Sequence, residues 1–128
     1  MKKIRIAPAK PLKGIVVVPG DKSISHRAIM LASIANGKTV IENFLFSDDC
    51  IATLKALSSC GIKARTNKRT KRVEIFSSGF LVSPRMPLDM EESGTSARVL
   101  TGLFAGQSIK AKITGSPSLS KRPMKRII

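Results

Sequence analysis

Two patterns of apolar residues organise the first part of the chain. Short apolar runs, separated by proline and glycine, predict strands at residues 4–6 and 15–18. Apolar residues at helical spacing then predict a helix that begins near Ser23 or Ser25, is capped by Ser23 and ends at Ala35, before an Asn-Gly stop. The expected core face of this helix consists of Ile24, Ala28, Leu31, Ala32 and Ala35.

A second helix and a hairpin follow. After a predicted strand at residues 39–41, the acidic segment 47–49 is typical of a helix start, and Gly61 is the matching stop. Residues 62–66 and 72–76 predict two strands joined by a polar turn. The resulting order is strand, helix, strand, helix, strand, strand, which indicates an α+β fold.

This order begins a second time. Ser25-His26-Arg27-Ala28-Ile29 resembles Ser96-Ala97-Arg98-Val99-Leu100, and each segment lies near the start of a predicted helix. The second copy predicts a helix at residues 95–105, a strand near 109–113 and the start of another helix near Pro123. We interpret the chain as repeated βαβαββ units, of which the second lacks its closing hairpin, and expect it to be part of a longer polypeptide.

Composition excludes several classes of protein. The chain has 128 residues, long enough for one domain with a core. Its longest aliphatic run, residues 15–18, is far shorter than a membrane helix, and the first residues do not resemble a secretory signal. The two cysteines, Cys50 and Cys60, have no zinc-site spacing and are too few for a disulfide scaffold, which favours the cytoplasm. Both are expected to be partly buried thiols on the second helix.

The net charge indicates an anionic partner. Twenty-three Lys and Arg against eight Asp and Glu give a formal charge of +15. A basic nucleic-acid-binding module is therefore one hypothesis, although the chain has no Trp or Tyr and only five Phe for base stacking. The basic run at residues 63–72 is also explained by a solvated hairpin.

The first helix start carries a candidate anion site. Backbone N–H groups and the helix dipole attract anions there, and Lys22 and Ser23 lie at this start. Arg27 lies one turn later on the same side as Ser23. The combination suits a phosphate or a carboxylate, while a plain capped helix with surface Lys and Arg is the alternative.

Two later segments repeat this design. Gly94 lets a ligand approach the backbone at the next predicted helix start, where Thr95 is the expected cap and Arg98 lies near the first turn. Residues 121–124 place Lys and Arg directly before a proline that is suited to a first helical turn. A glycine turn with a cap remains the alternative for the first of these segments.

Other polar residues have simpler interpretations. His26 is the only His, and we expect it to have a structural or polar-surface role because no partner motif accompanies it. Asp48 and Asp49 are interpreted as capping carboxylates, with a position near bound substrate as the alternative.

Three of these segments together resemble one protein family. Residues 19–28, Pro-Gly-Asp-Lys-Ser-Ile-Ser-His-Arg-Ala, look like the N-terminal signature of the EPSP synthase (3-phosphoshikimate 1-carboxyvinyltransferase) family. Residues 93–98, Ser-Gly-Thr-Ser-Ala-Arg, look like its second motif, and residues 121–124, Lys-Arg-Pro-Met, like its third. The order and spacing of the motifs agree with the family, and the resemblance spans essentially the whole chain.

The resemblance implies a reaction and a set of site residues. Members of the family transfer the enolpyruvyl group of phosphoenolpyruvate to the 5-hydroxyl of shikimate 3-phosphate and release phosphate. By position, Lys22 is the implied catalytic residue and contacts both substrates, while Ser23 and Arg27 bind shikimate 3-phosphate. The residues implied for phosphoenolpyruvate are Lys22, Gly94 and Arg122, with Arg98 in a supporting role.

The resemblance also implies an architecture. The βαβαββ units of the enolpyruvyl transferase fold have their helices inside and their sheets outside. Residues 1–20 are expected to be strands that join the family's other domain. Residues 21–128 are expected to form part of the N-terminal substrate-binding domain, with the first unit at about 21–80 and the second beginning at about 81–128. The implied partner is the rest of the enzyme, including its C-terminal domain. The resemblance further implies a monomeric cytoplasmic protein that needs no metal or organic cofactor. It implies no membrane or nucleic-acid partner.

Two departures from the family affect these expectations. Glu92 stands where the family has Asn, and a carboxylate near an anion site repels an anionic ligand. A structural or regulatory remnant that binds nothing is therefore a further hypothesis. The family's acid and base residues also belong to parts that this chain lacks, so we expect the chain alone to have negligible transferase activity.

Overall fold

The computed structural model describes residues 3–8, 10–125 and 127. Its helices are α1 Lys22–Ile34, α2 Asp48–Ser59, α3 Gly94–Ala105 and α4 Pro117–Ser120. Its strands are β1 Asn36–Ile41, β2 Lys63–Asn67, β3 Arg72–Ser78, β4 Leu88–Asp89 and β5 Ile113–Thr114. The chain is thus mixed α and β, as predicted, and none of the helices in these ranges is long and apolar enough to cross a membrane.

A three-stranded antiparallel sheet forms the first half of the fold. Its strand order is β1-β3-β2, so the hairpin β2–β3 is completed by β1 on the other side of β3. Val73 and Ile75 in β3 are buried, whereas β2 and the turn after it are largely exposed. The prediction of a solvated hairpin for the basic run is therefore confirmed.

Helix α1 buries a different face from the one predicted. Of the expected stripe only Ala32 is buried, while Ile24 and Leu31 are 61% and 64% exposed. The buried residues of α1 are Ser25, His26, Ile29, Met30, Ala32 and Ser33. The prediction was wrong because α1 packs against its neighbours partly through polar contacts, such as the 2.6 Å hydrogen bond from the Ser77 hydroxyl to the Ser33 carbonyl.

The predicted strands at residues 4–6 and 15–18 do not form. Neither segment pairs with a strand in the described part of the chain, and their apolar side chains are exposed, Ile6 by 91% and Ile15 by 96%. A strand needs a partner for its backbone groups and a core for its apolar side, and the residues that the structure describes supply neither at these positions. The local pattern alone therefore predicted these strands wrongly.

The second half contains a short parallel sheet. Strand β4, which the sequence did not predict, pairs with β5, and β5 lies at the end of the strand expected near residues 109–113. Helix α4 begins at Pro117, with Ser116 as its cap, and ends before Pro123. The helix predicted at Pro123 was wrong, because the rule that proline suits a first helical turn applies to Pro117, which follows a capping serine.

Candidate functional site

Each of the three longer helices begins at a capped first turn. The Asp21 carboxylate accepts a hydrogen bond from the Ile24 amide at 2.7 Å in α1, and Ser47 caps α2. Ser93 accepts from the Ser96 amide at 3.2 Å in α3. The caps predicted at Ser23 and Thr95 were therefore wrong, because in each helix a polar side chain two residues earlier already satisfies the first turn. Ser23 and Thr95 lie inside the helices and are exposed.

These helix starts are joined to one another. The Cys50 thiol of α2 donates to the Lys22 carbonyl of α1 at 3.7 Å, and the Ser96 hydroxyl of α3 donates to the Asp49 carbonyl of α2 at 3.3 Å. The first turns of α1, α2 and α3 therefore lie together. Because each first turn carries the positive end of a helix dipole, their meeting point favours anions.

A buried polar network holds the three helices in this arrangement. His26 Nδ1 lies 2.8 Å from the Thr53 hydroxyl, and Thr53 lies 2.5 Å from the Ser96 hydroxyl. The hydroxyl of the Ser93 cap lies 2.5 Å from the Ser96 hydroxyl. His26, Thr53 and Ser96 are at most 1% exposed, so His26 has the structural role that was expected of it, in the core rather than at the surface. His26 Nε2 is buried without a partner among the described residues.

The buried ring of His26 predicts a pH dependence of stability. Burial lowers its pKa below the ordinary value of 6.5, with a smaller opposing effect from Asp49 and a further lowering by Lys22. The unfolded chain therefore takes up a proton at a higher pH than the folded protein does. We expect the free energy of unfolding to be highest above about pH 6.5 and to fall as the pH decreases below that value.

Chemical denaturation between about pH 5.5 and 7 measures this effect, because carboxylates titrate mostly below that range. His26 is the only His in the chain, so the His26→Gln variant is expected to lose the slope, whatever its absolute stability. An equal slope in both proteins contradicts the assignment.

Lys22, a predicted site residue, has an acidic partner. Its ammonium group donates to the Asp49 carboxylate at 2.8 Å, and the Lys22 side chain stays 51% exposed. The hydrogen bond to Asp49 and the charge of that residue raise the pKa of Lys22, so the ammonium remains charged. Ser23 and Arg27 are exposed on the same helix. Asp49 was interpreted mainly as a cap, and no local signal marked it as the partner of Lys22.

A second basic group gathers at the start of α3. The Arg98 guanidinium donates to the Gly94 carbonyl at 3.4 Å and to the Pro123 carbonyl at 3.1 Å. Arg122 donates to the Glu92 carbonyl at 3.4 Å. A Cβ atom at Gly94 would lie 2.7 Å from Arg98 Nη1 and 3.2 Å from Arg122 Nη1, so the absence of a side chain leaves room for both guanidinium groups.

Arg122 reaches this position from outside any helix. Lys121 is the C-cap of α4, so the expectation that residues 121 and 122 flank the start of their own helix was wrong. Arg122 instead lies beside the start of α3, where its Nη2 is also 3.4 Å from the Glu92 carboxylate. The tertiary structure therefore brings Gly94, Arg98 and Arg122 together, and Asp49 connects this group to Lys22 through Ser96.

In the part of the chain that the structure describes, the two cysteines and the possible metal-ligating side chains add no further group to this site. Cys50 and Cys60 are free thiols, fully buried rather than partly buried, and burial raises the pKa of both. Within residues 3–8, 10–125 and 127, no cluster of three or more His, Cys, Asp or Glu side chains is arranged to hold a metal ion.

Known proteins share both the sequence and the fold. A sequence model of the family described as EPSP synthase (3-phosphoshikimate 1-carboxyvinyltransferase) matches residues 6–128. A 3-phosphoshikimate 1-carboxyvinyltransferase of Limosilactobacillus fermentum is 46% identical over 121 residues, which cover 93% of this chain and 28% of that protein. Its counterpart in Ruthia magnifica is 46% identical over 130 residues, with coverage of 100% and 29%.

A solved structure of EPSP synthase from Acinetobacter baumannii superimposes with a TM-score of 0.81 at 43% identity, covering 88% of this chain and 26% of that one. The chain therefore spans less than a third of the length of these relatives. With a family match over nearly the whole chain and a fold shared at this level of identity, the chain belongs to the EPSP synthase (3-phosphoshikimate 1-carboxyvinyltransferase) family.

Proposed function

We propose that this chain supplies part of the active site of a 3-phosphoshikimate 1-carboxyvinyltransferase. The reaction transfers the enolpyruvyl group of phosphoenolpyruvate to the 5-hydroxyl of shikimate 3-phosphate and releases phosphate. The observation that carries the proposal is the convergence of two basic groups, around Lys22 and around Arg122, on joined helix starts. Both substrates are polyanions, and this arrangement is suited to binding them.

Helix α1 supplies the proposed contacts to shikimate 3-phosphate. Lys22, Ser23 and Arg27 lie in its first two turns and are exposed, with Ser23 and Arg27 four residues apart on one side. Together they offer an ammonium, a hydroxyl and a planar guanidinium to a phosphate group. Asp49 orients Lys22, since its carboxylate holds the ammonium at 2.8 Å.

The start of α3 supplies the proposed contacts to phosphoenolpyruvate. Gly94 is buried, and its missing side chain leaves room for the Arg122 guanidinium, the proposed phosphoenolpyruvate contact beside the Gly94 backbone. Arg98 supports the arrangement, because it holds the Pro123 carbonyl and thereby the segment that carries Arg122. No residue of the proposed site needs a metal or an organic cofactor for these contacts.

The proposed chemistry assigns Lys22 to both substrates. Addition of the 5-hydroxyl to the double bond of phosphoenolpyruvate and the later loss of phosphate both change the charge near the phosphate oxygens, which a fixed ammonium group stabilises. Proton transfer needs acid and base groups from the rest of a full-length enzyme. We therefore expect this chain by itself to have negligible turnover while keeping its half of the binding site.

The proposal extends to architecture and setting. The order β4-α3-β5-α4 fits the beginning of a second βαβαββ unit at about residues 81–128, after a first unit at about 21–80. Exposed apolar side chains in residues 4–18 support the assignment of residues 1–20 to the family's other domain. We place the protein in the cytoplasm as a monomer, in line with the free buried thiols and the shared family.

An amide NMR titration with shikimate 3-phosphate at physiological salt tests the proposal. We expect saturable shifts at residues 21–28, and no comparable shifts with inorganic phosphate or a short DNA duplex. Shifts with DNA alone would instead support the nucleic-acid-binding hypothesis that the charge of +15 suggests. A well-dispersed spectrum without shifts would contradict a half-site that binds on its own.

The Gly94→Ala variant is expected to bind phosphoenolpyruvate about tenfold more weakly. The new methyl group pushes against the Arg98 and Arg122 guanidinium groups, so a charge-assisted contact to the ligand is lost. The affinity for shikimate 3-phosphate, which is bound at α1, should change by less than about twofold. The same NMR titration measures both affinities. Gly102→Ala is the matched control, since a Cβ atom there meets nothing within 4 Å in the same helix. Equal losses for both substrates would contradict the assignment of Gly94.

A further inference from the structure

Two neighbouring glutamates precede the α3 cap and have different partners. Glu91 pairs with Lys55 at 3.1 Å. Glu92 pairs with Arg122, its Oε2 atom lying 3.4 Å from Nη2. The two residues carry the same charge and differ in whether that charge reaches the proposed phosphoenolpyruvate contact.

The Glu92 carboxylate occupies a hydrogen-bonding edge of Arg122 that an incoming ligand would use. Carboxylate and phosphate groups bind a guanidinium through the same N–H groups. The Glu92 and Arg122 side chains are 59% and 43% exposed, so the pair is weak enough for a ligand to displace. The carboxylate would remain close to the bound anion and repel it.

Breaking this ion pair leaves Arg122 in place. Its Nη1 atom donates to the backbone carbonyl of Glu92, a contact that does not depend on the side chain. Arg98 independently holds the Pro123 carbonyl next to it in sequence. Replacing the Glu92 carboxylate with an amide therefore changes the charge at the site with little change in geometry.

We propose that Glu92 acts as an internal competitor for Arg122 and so determines how tightly this site binds phosphoenolpyruvate. The inference rests on the proposed function, because it takes Arg122 as a phosphoenolpyruvate contact. It makes Glu92 a residue that sets affinity for one of the two substrates. Shikimate 3-phosphate, contacted from α1, is not affected.

Glu92→Gln and Glu91→Gln are a matched pair for the test, since each removes one negative charge. In the ligand-free 128-residue chain, NMR of the Arg122 guanidinium is expected to change in Glu92→Gln and not in Glu91→Gln. Titration with phosphoenolpyruvate is followed at the amides of residues 93–98. It is expected to show that Glu92→Gln binds this ligand roughly five- to tenfold more tightly than the unsubstituted chain does. Glu91→Gln is expected to stay within about twofold of the unsubstituted chain.

Three other outcomes would overturn the inference, and each can be distinguished from failure of the proposed function. An unchanged Arg122 signal in Glu92→Gln shows that the pair is absent in solution. Equal tightening in both variants shows an effect of net charge alone, and unchanged affinity shows that Glu92 does not compete. Normal shikimate 3-phosphate binding in those samples leaves the proposed function intact. Loss of binding for both substrates in every protein rejects the proposed function together with this inference.

Discussion

Lys22→Met is expected to weaken shikimate 3-phosphate binding by about a hundredfold, the larger of the two binding effects at this site. The substitution keeps an unbranched side chain of similar length and removes the ammonium group. That group is exposed enough to meet a ligand and stays charged because Asp49 raises its pKa. Isothermal titration with shikimate 3-phosphate measures the loss.

The size of this effect has two sources. A charge-assisted hydrogen bond to the substrate is lost, which is worth about 1.5–3 kcal/mol. The Asp49 carboxylate, deprived of the cation at 2.8 Å, is then free to repel the anion. A Lys22→Met, Asp49→Asn double variant should therefore recover part of the affinity.

Lys68→Met is the control for Lys22→Met. Lys68 is an exposed cation in the turn of the β2–β3 hairpin, so its loss changes the net charge equally without touching a helix start. We expect it to alter the affinity by less than about twofold. A similar loss in both variants would mean that binding follows net charge and not the α1 site.

Thr53→Val is expected to have the largest effect on stability, lowering the free energy of unfolding by about 2–3 kcal/mol. Valine has nearly the shape of threonine but lacks the hydroxyl that lies 2.8 Å from His26 Nδ1 and 2.5 Å from the Ser96 hydroxyl. Ser96 keeps Ser93 as a partner, whereas both ring nitrogens of His26 would then be buried without one. Urea denaturation at neutral pH measures the loss.

Thr53→Ser separates the hydroxyl from the packing. It keeps the hydrogen-bonding oxygen and removes one buried methyl group, which costs about 1 kcal/mol. If the network joins the helices as described, Thr53→Ser is the more stable variant of the two. The reverse order would show that packing of the methyl group, and not the hydroxyl, matters at this position.

The candidate site was predictable where the chemistry is local. Lys22, Ser23 and Arg27 lie within two turns of one helix, so their spacing alone placed them on a common anion-attracting start. Arg122 lies beside α3 and not at the start of a helix of its own, so the reasoning that singled it out was wrong about its position. Whether these residues bind the proposed substrates stays a prediction.

The partners of the site residues were not predictable. Asp49 lies 27 positions from Lys22, and Glu92 lies 30 positions from Arg122. Nothing at either position distinguishes a carboxylate that meets a distant cation from one that caps a helix or faces water. Packing of α1 against α2 brings Asp49 to Lys22, and the segment after α4 lies beside the start of α3, which brings Arg122 to Glu92.

By itself, the sequence determined the α+β class, the positions of α1, α2 and α3 and the β2–β3 hairpin, because caps, stops and turns satisfy backbone groups within a few residues. Only the tertiary structure decided which face of α1 is buried, that residues 4–6 and 15–18 form no strand here, and where Arg122 lies. These features depend on contacts between distant segments, such as Thr53 with Ser96, 43 positions apart. Apolar spacing along one segment cannot specify which distant polar groups it must satisfy once buried.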